Sequence, residues 1–172
     1  MARQRDVQRT DDQQTGQDPT LVSLYRERGP AMVRLAHLLT GDNSAAQDLV
    51  HDAFIKVSAK LDDPVAGGSP IGDVPAYLRR VVVNECHGWH RRAATRARHE
   101  PPVPEPVVLE PEHDEIWSAL AEIPAQRRTA LVLRFYEDLS LDEVATVMGV
   151  RPATARSLVR RGLASLRKVV DP

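Results

Sequence analysis

With 172 residues, 42% of them apolar and only 4% aromatic, the chain can fill a modest aliphatic core as one domain or two small ones. The single cysteine, Cys86, excludes an internal disulfide, and no apolar run approaches the roughly 18 residues of a membrane span. The formal net charge of −1 is a cancellation: Tyr77 to His99 carries six Arg against Glu85 alone, +5, whereas Glu100 to Glu115 carries six acids and no Lys or Arg, −6.

The start, MARQRDVQRTDDQQTGQDPT, has neither periodic apolar residues nor the apolar core of a signal peptide, so residues 1–20 are expected to be a disordered tail on a soluble, cytoplasmic protein. From Leu21 the pattern turns helical through Leu24, Tyr25, Met32, Leu35, Ala36 and Leu39, with a break or kink expected at Gly29-Pro30. Thr40 to Asn43 reads as a turn, and Ser44 with Gln47 as the cap of the next helix. There Ala46, Leu49, Val50, Ala53, Phe54, Val57 and Leu61 form an unbroken apolar stripe. Asp48 and Asp52 share the outer face. A like-charge pair four residues apart costs an isolated helix about 0.2 to 0.5 kcal/mol, which a basic partner would explain and chance would also allow.

Asp62 to Ala76, with three Pro and three Gly, is a loop, and Asp73 and Pro75 open a third helix. In that helix Leu78, Val81, Val82, Cys86 and Trp89 face inward, while Arg80, Asn84, His87 and Arg91 recur as one polar stripe that Arg92, Arg96 and Arg98 extend. Arg suits phosphates, and Asn or Arg suits base edges; a merely solvated face is the plainer alternative. Cys86, His87 and His90 raise a zinc site, but Cys86 lies on the apolar stripe and no fourth ligand is in view, so no metal or cofactor is expected. Nor does any nucleophile with a positioned base, paired-carboxylate cleft or phosphate-cradling loop stand out: the chain does not read as an enzyme.

Pro101, Pro102, Pro104, Pro106 and Pro111 forbid helix in an acidic linker placed at 96–113. Beyond it Ile116, Trp117, Leu120 and Ile123 make a short amphipathic helix that Pro124 breaks, and Ala130, Leu131, Leu133, Phe135 and Tyr136 build a supporting helix. Ser140 and Glu143 form a capping box, Leu141, Val144, Ala145 and Met148 an apolar stripe, Gly149 a stop and Pro152 the first turn of a last helix. Its buried side is Ala155, Val159, Gly162, Leu163 and Leu166. Its other side shows Arg151, Thr154, Arg156, Ser157, Arg160, Arg161, Arg167 and Lys168: six Arg or Lys with no acid, the size and polarity a major groove admits. This is a helix-turn-helix pattern. The fold class is therefore all-α: two small helical bundles joined by a flexible linker, with an N-terminal domain at 21–95 and a C-terminal helix-turn-helix domain at 114–170.

Three stretches carry a resemblance. AAQDLVHDAFIKV, AYLRRVVVNECHGWHRR and IPAQRRTALVLRFYEDLSLDEVATVMGVRPATARSLVRRGLASLR stand in the order and wording of the extracytoplasmic-function sigma factors of bacterial RNA polymerase, in the sigma-70 superfamily, and are most similar to an actinobacterial SigE-type branch. Tyr77 stands where that family has Trp, Gln47 where it has Glu, Ala153 where it has Gly and Leu158 where it has Arg. The resemblance implies that Asp48 and Asp52, with Leu49 and Phe54, dock on the β′ clamp helices of core RNA polymerase. It implies that Arg80, Asn84, His87, Arg91 and Arg92 read the minus-10 element, beside a base-capturing loop at Asp62 to Ala76. Arg151, Thr154, Arg156, Ser157, Arg160 and Arg161 would read the minus-35 element. The implied partners are the core polymerase, including its β flap, promoter DNA and an anti-sigma factor, with no membrane insertion. The rival reading is a stand-alone helix-turn-helix regulator of duplex operators, which would call for a palindromic operator and a dimer surface.

Overall fold

The computed structural model describes residues 19–61, 71–97 and 117–170, all of whose regular elements are helical. The expected tail, most of the loop at 62–76 and most of the acidic linker lie outside the described residues. Helices α1 (Pro19–Thr40), α2 (Asn43–Leu61) and α3 (Val74–Ala97) pack on one another as the N-terminal bundle. A short helical stretch, α4 (117–121), then leads to α5 (Ala125–Leu131), a π-helical turn (Val132–Tyr136), α6 (Leu141–Met148) and α7 (Pro152–Val170).

Most helix boundaries follow from local chemistry. The carboxylate of Asp73 accepts from the Ala76 amide at 2.9 Å and caps α3. At α6 the capping box is complete: Ser140 Oγ accepts from the Glu143 amide at 3.2 Å, and Glu143 Oε2 accepts from the Ser140 amide at 2.8 Å. Those bonds hold the Glu143 carboxyl below the usual carboxylate range. Gly149 ends α6 in the left-handed conformation, at φ 65°, where a Cβ would be strained.

Three expectations are corrected. Of the break or kink expected at Gly29-Pro30, the break does not occur: α1 runs through both residues. Pro30 is on the exposed side, where a carbonyl deprived of its helical donor can turn to water. Helix α2 is capped by Asp42, not Ser44: Asp42 Oδ1 accepts from the Ala45 amide at 2.8 Å. The supporting helix changes at Val132 to π bonding, with Glu137 N donating to Val132 O, and the wider turn leaves Phe135 and Tyr136 58% and 47% exposed.

One cluster of buried side chains runs through both bundles. Leu35, Leu39, Val50, Val57, Leu78, Val82 and Val83 fill the first, and Ile123, Leu133 and Val144 the second. Among the described residues Phe54 is the one buried aromatic, set edge-on to Tyr25 with ring centres 4.9 Å apart, as the low aromatic content requires. The bundles meet where α3 packs on α6 and α5, and α1 packs on α5 and the π-helical turn.

Candidate nucleic-acid interface

Helix α3 has three faces. Leu78, Val82 and Cys86 are buried; the thiol of Cys86 is pushed up to about 12 by burial, beside the Glu85 carboxylate. That is the reverse of what a metal-binding thiolate needs. Arg80, Asn84, Arg91 and Arg92 are exposed as expected. Glu85, next to Asn84, is anchored by Lys56 of α2, fixing the rotation of the helix that carries the polar stripe.

The third face is the one that the pattern of residues did not reveal. Arg79 and His87, eight residues apart, reach the C-terminal bundle, and His90, three residues further on, reaches the end of α1, at the carbonyl that Arg128 of α5 also reaches. Arg79 Nε donates to Glu137 Oε2 at 2.7 Å, His87 Nε2 lies 3.1 Å from Thr129 Oγ1, and His90 Nε2 lies 2.8 Å from the Leu39 carbonyl. His87 is therefore not part of the open polar stripe: it is half-buried between bundles. Burial, then the nearby His90 and Arg91, lowers its pKa; burial likewise lowers that of His90, with Arg128 adding to the effect and the Leu39 bond opposing it. The available signal was Arg79 itself, one residue before the stripe and out of its register.

Helix α7 buries Ala155, Val159 and Gly162. Gly162 is there for contact: a Cβ on it would stand 2.8 Å from Leu131 Cγ, so α5 and α7 approach to a distance that only glycine permits. Arg127 Nη1 donates to Ser165 Oγ at 3.2 Å and fixes the same pair of helices. Arg151, Thr154, Arg156, Arg160 and Arg161 are exposed on the far side, and Ser157 is half-buried beside them. Five of the six predicted residues thus form an open, cation-rich ridge, the shape and charge suited to phosphates and base edges of a duplex.

On α2, Asp48 and Asp52 are exposed, and among the described residues neither forms an ion pair. Leu49 and Phe54 are not on that surface. They are 5% and 4% exposed, because they belong to the inward stripe, and they support the carboxylates from beneath. The residues that continue the Asp48 and Asp52 line at helical spacing are Ile55, 55% exposed, and Ala59. Both line a cavity of about 660 Å³ between α1 and α2, lined also by Tyr25 and Phe54.

Comparison with known proteins matches residues 24–96 to the sigma-70 region 2 model and residues 113–166 to the sigma-70 region 4 model. The chain is 28% identical over 151 residues to an RNA polymerase sigma-E factor of Streptomyces avermitilis, covering 85% of this chain and 82% of that one. It is also 28% identical over 165 residues to the ECF RNA polymerase sigma factor SigE of Mycolicibacterium smegmatis, covering 87% of this chain and 61% of the relative. In fold it is similar to the sigma factor RpoE of Bartonella quintana, solved with the anti-sigma factor NepR, with a TM-score of 0.73, 23% identity, and coverage of 88% of this chain and 96% of that one.

Proposed function

Because the chain belongs to the sigma-70 family, as an extracytoplasmic-function member with both region 2 and region 4, we propose that its exposed faces divide the work of a promoter-specificity subunit. It is a sigma factor, not an enzyme: it binds core RNA polymerase and directs promoter recognition, DNA melting and initiation. The observation that carries the assignment of faces is the pairing of two separate cation-rich helix surfaces, on α3 and on α7, with an acidic surface on α2.

In this reading Asp48 and Asp52 meet basic residues of the β′ clamp helices, and Ile55 and Ala59 add the apolar part of that interface. Arg80, Asn84, Arg91 and Arg92 face the melted minus-10 strand, where an unstacked base exposes edges that Asn can read. Arg151, Thr154, Arg156, Ser157, Arg160 and Arg161 face the minus-35 duplex. The boundaries that serve these roles are 21–95 for the first domain, 96–113 for the tether and 114–170 for the second. Two weak readers on one platform gain effective concentration, so neither needs high affinity alone. The setting is the cytoplasm, where polymerase and DNA are; among the described residues no helix is long and apolar enough to cross a membrane. An anti-sigma partner belongs to the same proposal, supported by the similar fold of the Bartonella sigma factor solved with one.

The test is reconstitution. The protein added to core polymerase should form a stable complex and start transcription from a defined set of promoters, identified by sequencing the bound DNA. Tight, polymerase-independent binding to a duplex operator, without core binding, would instead support the stand-alone regulator.

A further inference from the structure

The carbonyl of Leu39, in the last turn of α1, accepts two hydrogen bonds: from Arg128 Nη1 at 2.9 Å and from His90 Nε2 at 2.8 Å. A carbonyl only accepts, so Nε2 of His90 carries a hydrogen. Arg128 Nη2 reaches the carbonyls of Ala121 at 3.2 Å and Ile123 at 3.3 Å, and its guanidinium lies over the Trp117 ring, 4.9 Å from the centre. One 7% exposed cation thus joins α1, α4 and α5, and its partners are carbonyls and a ring rather than a carboxylate. One turn before His90, His87 Nε2 faces Thr129 Oγ1, whose own hydrogen goes to the Ala125 carbonyl at 2.9 Å, leaving Oγ1 to accept. Both imidazoles make these bonds in the neutral form, His87 across the interface and His90 to the carbonyl that Arg128 reaches from the other bundle.

We propose that this contact latches the free protein shut, with one face of α3 packed on the C-terminal bundle, and that protonation of His87 and His90 releases it. Among the described residues, the titratable groups acting on the two rings are cations and the rings themselves. Helix α3 supplies Arg91 and the rings themselves, and α5 supplies Arg128; His37 of α1 packs on the Trp117 ring that Arg128 also covers, with ring centres 6.1 Å apart. Glu137, a carboxylate at the end of the π-helical turn, is occupied by Arg79. Protonated rings would therefore stand as half-buried cations beside cations. In the open form both rings are free of the C-terminal bundle, and His90 of Arg128, so they take up protons nearer the ordinary 6.5, whereas in the closed form burial and the neighbouring cations hold both lower. Closure is accordingly complete above the open-form value and is lost as pH falls from there through the lowered closed-form values. The latch covers Arg79 and His87, so opening it adds a cation and an imidazole to the exposed surface of α3.

The experiment uses the full chain alone, without polymerase or DNA, so its outcome is separate from the assignment of binding faces. Lys60→Cys and Ala164→Cys place donor and acceptor dyes on exposed sites of the two bundles, while the buried, unreactive Cys86 stays unlabelled. Energy transfer should be high at about pH 8 and should fall reversibly by about pH 5.5, the range in which histidine titrates. His87→Gln with His90→Gln, which can still donate a hydrogen bond but cannot charge, should remain closed at both. Arg128→Ala should be open at both. Circular dichroism checks that the helices persist throughout. Wild-type transfer that is the same at the two pH values overturns the proposal, as does a double Gln variant that opens along the wild-type profile. Should the double variant not fold, the same comparison with His90→Gln alone decides.

Discussion

Arg128 and Leu39, eighty-nine residues apart, are joined by a hydrogen bond of 2.9 Å from Nη1 of the guanidinium to the main-chain carbonyl. The bond crosses from α5 of one bundle to the end of α1 in the other, and the pKa of Arg128 is lowered by burial. Arg128→Ala removes the donor for Ala121 and Ile123 as well, leaving acceptors under-satisfied at about 1 to 3 kcal/mol for each group that water cannot reach. The expected result is a marked fall in the midpoint of urea unfolding. Arg128→Lys should recover only part of it, since an ammonium cannot serve three carbonyls in the fork that the guanidinium spans. Equal stability of Lys and Arg at this position would contradict the geometry.

Gly162→Ala tests the close approach of α5 and α7. Ala is the better helix former by about 1 kcal/mol, so an unpacked site would gain stability. Here the added Cβ meets Leu131 at 2.8 Å, and overpacking of this kind costs about 1 to 3 kcal/mol. The expected net outcome is destabilisation in thermal melts, reduced when Leu131→Val is combined with it. A more stable Gly162→Ala protein would show that the helices part at no cost.

What was legible in the sequence was local. The Ser140 and Glu143 capping box, the Gly149 stop and the Asp73 cap are each written within a few residues, and the structure has all three. The exposed ridge of α7 and the outer line of α2 follow from helical spacing alone. The points where structure and pattern part have physical reasons. Gly29-Pro30 reads as a break because proline usually is one, but the Pro30 side of α1 is exposed. Ser44 reads as a cap because its hydroxyl is suitable, but Asp42, two residues earlier, reaches the Ala45 amide first. Phe135 and Tyr136 read as core only in an α-helical register, which the π turn breaks. The joint between bundles is not legible at all: Arg79 with Glu137, and Arg128 with Leu39, are pairings across long stretches of chain that no periodicity encodes.

The acidic line on α2 is tested by charge reversal. Asp48→Lys with Asp52→Lys should leave helicity and melting temperature close to wild type, because both side chains are exposed and the core beneath them is untouched. Binding to core polymerase should be lost in a pull-down. Ile55→Glu should weaken binding without changing the fold, since its side chain already faces water at 55% exposure. Full affinity in the Asp48 and Asp52 double variant would remove the polymerase from this face.

The last expectation separates the two DNA surfaces, because they present different chemistry to different forms of DNA. Arg156 and Arg160 project from the ridge of α7, and guanidinium groups on such a ridge meet phosphates first, whatever the sequence. Arg156→Ala with Arg160→Ala should therefore weaken promoter binding across sequences and reduce the slope of log affinity against log salt by about one for each phosphate no longer neutralised. Asn84 is a neutral amide among cations on α3, and replacing it removes almost no electrostatic attraction. Its amide can pair with the Watson–Crick edge of a base, which duplex DNA exposes only when the strand is opened. Asn84→Ala holoenzyme should then bind duplex promoter with nearly wild-type affinity and salt slope, yet form open complexes slowly. A pre-melted template should restore activity only in part, since the opening cost is removed but the pairing with the base is still missing. Open-complex formation by both variants on duplex and pre-melted templates provides the measurement. Wild-type behaviour of Asn84→Ala on both templates would take the minus-10 reader off this helix, and an unchanged salt slope in the Arg156 and Arg160 variant would take phosphate binding off the other.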